Sequence, residues 1–120
     1  MSGLKRIRLE LARDAEHPDG SSAIGYDIVA PLAAGGRLDQ IAWAAAKNAC
    51  TVRHFANAHQ ERGHLKHGAK GWYFDYAAGR EDDEPLFRLE SHALAVGEYV
   101  SVTEHNGKLL TFKVVSVGEV

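Results

Sequence analysis

Four of the seven histidines in this 120-residue chain, His54, His59, His64 and His67, fall within fourteen consecutive positions, with Cys50 just upstream. Imidazole nitrogen and thiolate are the ligands that Zn²⁺ and related transition metals prefer. A metal site here would draw on His59, His64 and His67, with zinc or another transition metal as the cofactor. The spacing His-x₄-His-x₄-His-x₂-His matches neither the zinc-finger arrangement nor the His-Glu-x-x-His helix of a metalloprotease. The plainer reading of residues 56–70 is a long polar loop without a clear period. Both readings stay open at this stage.

The same region is asymmetric in charge. From Arg53 to Lys70 there are four basic residues against Glu61, and from Asp75 to Glu84 five acids against Arg80. Arg53, Arg62, Lys66 and Lys70 are the residue types that pair with phosphate or carboxylate, and Phe55, Trp72 and Tyr73 flank them as stacking surfaces. The opposing reading is a basic loop beside an acidic loop, both solvated. The expected binding site lies where the 54–70 segment meets the strand Trp72–Tyr76. Its ligand would be a small anion or a protein partner.

Other chemistry finds less support. Cys50 and His54 are four apart but straddle an expected helix end and strand start, so no dyad is implied. There is no Gly-x-Ser-x-Gly nucleophile elbow. Glu81-Asp82-Asp83-Glu84 lacks the alternation and central glycine of a calcium loop. Ala33-Gly35-Gly36 lacks phosphate-loop spacing and reads as a turn. With no complete catalytic constellation, the chain reads as a non-catalytic binding module. The alternatives are a metal-binding protein or metal-dependent enzyme, and an oligomerising protein that pairs strand edges, for which a homodimer would be the product.

The elements that must position these residues are mostly strands. Ile7, Leu9 and Leu11 alternate with charged neighbours over about residues 4–13, and Ile24, Tyr26, Ile28 and Ala30 alternate up to Pro31. Between them, His17-Pro18-Asp19-Gly20 is turn chemistry. Asp39 is a good N-cap for the one expected helix, about residues 39–49. Its apolar stripe is read as Leu38, Ile41, Ala42, Ala45 and Ala49. Thr51–Phe55, Trp72–Tyr76 and Leu86–Leu89 read as strands. Gly97–Val117 reads as a hairpin turning at Asn106-Gly107, expected as a tight type I′ turn. The expected fold is mainly β: a small antiparallel β-barrel or sandwich with one short helix, as a single domain over residues 1–120.

Bulk properties narrow the class. Hydrophobic residues are 45% and charged residues 25%, which argues against disorder. A net charge of −2 gives no global pull toward nucleic acid or an anionic membrane. One cysteine cannot form an internal disulfide, and no apolar run approaches the ~20 residues of a membrane span. A cytoplasmic location is expected.

Three segments together carry a resemblance: Gly25-Tyr26 through Ala30-Pro31-Leu32; His64-Leu65-Lys66-His67 ahead of Trp72-x-Phe74-x-Tyr76; and Gly97-Glu98-Tyr99-Val100-Ser101 with Thr111-Phe112-x-Val114-Val115-Ser116-Val117. In these the chain resembles a group of short uncharacterised alphaproteobacterial proteins over nearly its whole length. The resemblance implies a bacterial cytoplasmic protein and no residue role. The hairpin is also similar to the paired C-terminal strands of sortases, but their nucleophilic cysteine has no counterpart in this region.

Overall fold

The computed structural model describes residues 3–69, 71–76, 84–87, 93–104 and 107–120. Eight antiparallel strands follow one another in order and close into a barrel: β1 (Leu4–Leu11), β2 (Ser21–Pro31), β3 (Thr51–Ala56), β4 (His59–Gly68), β5 (Gly71–Tyr76), β6 (Glu84–Phe87), β7 (Tyr99–Thr103) and β8 (Leu109–Glu119). Closure comes from β1, which pairs with β2 on one side and β8 on the other. This corrects the edge-pairing route to a homodimer: β1 has no free edge to offer, because closure satisfies both of its ladders.

Alternation in the strands fills the barrel. Ile7 and Leu9, Tyr26 and Ile28, Val52, Leu65, Phe74, Val102, Phe112 and Val114 point inward and are almost fully buried. An eight-stranded barrel is just wide enough for side chains to fill it, and these large residues do so. Each contributes about 1.5–3 kcal/mol by leaving water. The outward positions of β1–β4 instead carry Arg6, Arg8, Asp27, Arg53 and Arg62. That is the reverse of a transmembrane barrel, which turns an apolar band outward. Among the described residues no helix is long and apolar enough to cross a membrane.

One end of the barrel is covered by the β2–β3 connection. Helix α1 (Gln40–Ala45) starts at Asp39, whose carboxylate accepts from Ala42 N at 3.0 Å. It stops at Ala46, and a 3₁₀ turn, Lys47–Ala49, follows. The expected apolar stripe is corrected here. Ile41 is 87% exposed, while Trp43 is buried. Trp43 reaches into the barrel end, donating from Nε1 to Leu65 O at 2.8 Å and meeting Trp72 edge-on at 5.3 Å between centroids. A six-residue helix over a barrel mouth needs one large anchor, and a row of alanines cannot supply it.

Two further expectations are corrected. Residues 59–68 form strand β4, not a loop. Their inward positions include Glu61 and Gly63, so the apolar half of the alternation is missing from the sequence. Gly63 is required by the packing: a Cβ there would lie 2.2 Å from Asp75 O on β5. In the β7–β8 hairpin, Glu104 N donates to Lys108 O at 2.9 Å and Gly107 N to Glu104 O at 2.7 Å. Three residues thus lie inside the Glu104–Lys108 pair, with Gly107 at φ 84. This is the longer loop with a left-handed glycine, not the two-residue type I′ form. Asn106 lies outside the described residues.

Candidate functional site

The outer wall of β1–β4 gathers cationic side chains because register and alternation agree. Arg8 stands opposite Asp27, Asp27 opposite Arg53, and Arg53 opposite Arg62. One turn of the pleat further along, Arg6 stands opposite Val29, and Thr51 opposite His64. Long arginines therefore surround the short side chains Val29 and Thr51, leaving a groove of about 460 Å³. Arg6, Asp27, Arg53, Arg62 and His64 line it. A smaller depression of about 370 Å³ continues past Arg6 and Asp27 toward Ser116–Glu119.

Charge in the groove is not balanced. Asp27, the one acid among the described residues lining it, is already shared: its carboxylate pairs with Arg53 Nη2 and lies 3.4 Å from Arg8 Nη1. Both guanidiniums also lie over the Phe55 ring, at 4.5 Å for Arg8 and 5.1 Å for Arg53. The hydrogen bond from Arg8 Nε to Glu10 raises the Arg8 pKa, outweighing partial desolvation, and Asp27 adds to it. Arg6 and Arg62 have no carboxylate partner among the described residues. Directly opposed like charges destabilise a sheet, and of the Arg53–Arg62 pair it is Arg53 that is matched, by Asp27. The arrangement can bind a phosphate or carboxylate from several sides with charge-assisted hydrogen bonds.

A larger depression of about 1050 Å³ lies between the β1–β2 connection and β7–β8. Its charges, Glu10, Arg13, Asp19 and Lys113, offset one another. It selects for no ligand charge.

The structure sorts the sequence-expected ligand residues. Arg53 and Arg62 are brought together in the groove. Lys66 and Tyr73 sit opposite each other farther along the same outer face, outside the groove, and Lys66 pairs with Asp75 at 3.5 Å. Trp72 is corrected: it points into the barrel and is buried against Trp43 and His67, so it offers no stacking surface. Lys70 lies outside the described residues. The sequence reading missed Arg6, whose place beside β2 depends on long-range register.

The metal trio does not converge. His64 points outward from β4, whereas His59 and His67 point the other way. Eight residues of strand separate His59 from His67, about 26 Å at ~3.3 Å per residue. His67 instead packs edge-on against Trp72 at 4.7 Å. Among the described residues no group of three or more His, Cys, Asp or Glu side chains is placed to hold a metal ion. Cys50 is buried at the helix-covered end, which raises its thiol pKa by desolvation. His54 lies four residues, about 13 Å, along the strand from it.

The fourth histidine has the most unusual surroundings. His54 points into the barrel at the end away from α1, is 7% exposed, and stacks on Tyr26 at 4.6 Å. Its Nδ1 faces Glu61 Oε1 at 3.5 Å and its Nε2 faces Glu104 Oε2 at 3.6 Å, neither within hydrogen-bond geometry. Tyr26 Oη donates to the same Glu104 oxygen at 3.2 Å. Only the His54–Glu61 half was within reach of a sequence reading, as two strands closing over a short turn.

No family model matches the chain, and no curated protein and no solved structure matches it.

Proposed function

We propose that this protein is a non-catalytic binding module that holds a small phosphate- or carboxylate-bearing ligand on its outer β1–β4 wall. The observation that carries this reading is the directly opposed Arg53–Arg62 pair, with Arg6 across the groove and a single acid already committed to two arginines. The groove volume of about 460 Å³ suits a small molecule. The filled barrel interior supports an outer site over an internal cup. A cytoplasmic setting remains part of the proposal, supported by the free, buried Cys50, and a bacterial source rests on the sequence resemblance alone.

Isothermal titration with inorganic pyrophosphate at low salt tests the reading. One saturable equivalent is expected. Arg62→Glu and Arg6→Glu should each weaken binding at least tenfold, since one charge-assisted hydrogen bond contributes about 1.5–3 kcal/mol. Lys66→Glu, outside the groove, should change it less than about twofold. Equal losses from all three substitutions would reduce the effect to overall charge, and no saturable heat would end the proposal.

A further inference from the structure

We propose that the depression between the β1–β2 connection and β7–β8 is a second binding site, for an uncharged, hydroxyl-rich ligand: a short oligosaccharide. The starting observation is Tyr99, the first residue of β7, which lines this depression of about 1050 Å³ and is 53% exposed. Held on a strand beside open space, its ring is a flat platform with an electron-rich face. The C–H groups on one face of a sugar ring are attracted to such a face.

Register sets polar groups around that platform. Glu10 pairs with Lys113 and Lys113 with Tyr99, so the three side chains form one row on the outer face of β1, β8 and β7. Two interstrand steps of ~4.8 Å make the row about 10 Å long, the length of a disaccharide. Arg8 Nε donates to Glu10 Oε2 at 2.8 Å, which holds that carboxylate in place as an acceptor. Arg13 and Asp19, from the β1–β2 connection, also line the depression.

The chemical class follows from what these groups can do together. Two acids, Glu10 and Asp19, are matched by two cations, Arg13 and Lys113, so the site gains nothing from a net charge on its ligand. Carboxylates only accept hydrogen bonds and the cations only donate them, whereas a hydroxyl does both. A polyhydroxylated ring is therefore the ligand that engages all four. Arg13, Asp19 and Lys113 have no side-chain partner among the described residues, so none has to break an ion pair to do so. The site shares no lining residue with the arginine groove and is independent of it.

The test is a ¹⁵N-NMR titration with maltotriose, cellotriose, mannotriose and chitotriose, each at millimolar concentration. Saturable shifts centred on the amides of Tyr99, Thr111 and Lys113, insensitive to salt, are expected from at least one of them. Tyr99→Ala should weaken that binding about tenfold or more, whereas Tyr99→Phe keeps the ring and should change it less than about threefold. Asp19→Ala should weaken it about three- to tenfold. Leu109→Ala, equally exposed on β8 but outside the depression, and Arg62→Glu, in the arginine groove, should leave it unchanged. Tyr99 and Asp19 are exposed, so their substitutions read binding in a folded protein. No saturable shift with any of these sugars, an unchanged affinity in Tyr99→Ala, or an equal loss in Leu109→Ala would each overturn the proposal.

Discussion

Trp43→Ala should lower stability more than any other change in the helical connection. The side chain is 6% exposed and is the single buried residue of α1. Truncating a buried tryptophan removes its transfer free energy and leaves a cavity, together about 3–5 kcal/mol. The Leu65 carbonyl also loses its indole donor, 2.8 Å away. A chain of this length unfolds with an entropy of about 250 cal/mol/K, from ~2.1 cal/mol/K per residue. A loss of about 4 kcal/mol therefore lowers Tm by about 16 °C. Trp43→Phe keeps most of the apolar contact and forfeits the hydrogen bond, about 1–2 kcal/mol or 4–8 °C. Scanning calorimetry reads both values. A fall under about 3 °C in Trp43→Ala would refute the claim that this ring closes the barrel end.

Gly63→Ala should destabilise the β4–β5 pairing by about 1–3 kcal/mol or more, because the new Cβ meets backbone that cannot yield; chemical denaturation measures it, and wild-type stability would contradict the register. Cys50 should react with iodoacetamide only on unfolding, since burial raises its pKa and keeps the thiol protonated. Because the folded pKa is raised, its contribution to stability is full below about pH 8.5 and declines as pH rises toward the folded value. A Cys50→Ala variant should therefore lose less stability than wild type between about pH 8 and 10, and parallel curves would refute the assignment. Asp27→Asn should tighten pyrophosphate binding and steepen its salt dependence by removing the groove's acid, at a stability loss of about 1–3 kcal/mol from two arginines left without it.

The barrel was legible where inward positions are apolar. Ile7, Leu9 and Leu11, or Tyr26 and Ile28, announce strands by alternation. Strand β4 was illegible because Glu61 and Gly63 occupy inward positions, the first among polar side chains at the barrel end and the second where β5 comes too close for a Cβ. The helix start was legible in Asp39, but its buried face was not. Periodicity favoured Ile41, whereas the barrel mouth admits Trp43. Arg53 and Arg62 could be singled out by charge, yet only the β3–β4 register sets them opposite each other. His54 looked like one member of a histidine run. Its partner Glu104 is fifty positions away, so barrel closure alone brings them together.

The most direct test of the outer groove is a two-dimensional ¹⁵N-NMR titration with inorganic pyrophosphate at low salt. The account predicts saturable shifts centred on the amides of Val29, Thr51, Arg62 and His64, with Arg13 and Lys113 in the larger depression unmoved. Shifts centred on Arg13 and Lys113, or scattered over every basic residue without saturation, would contradict it.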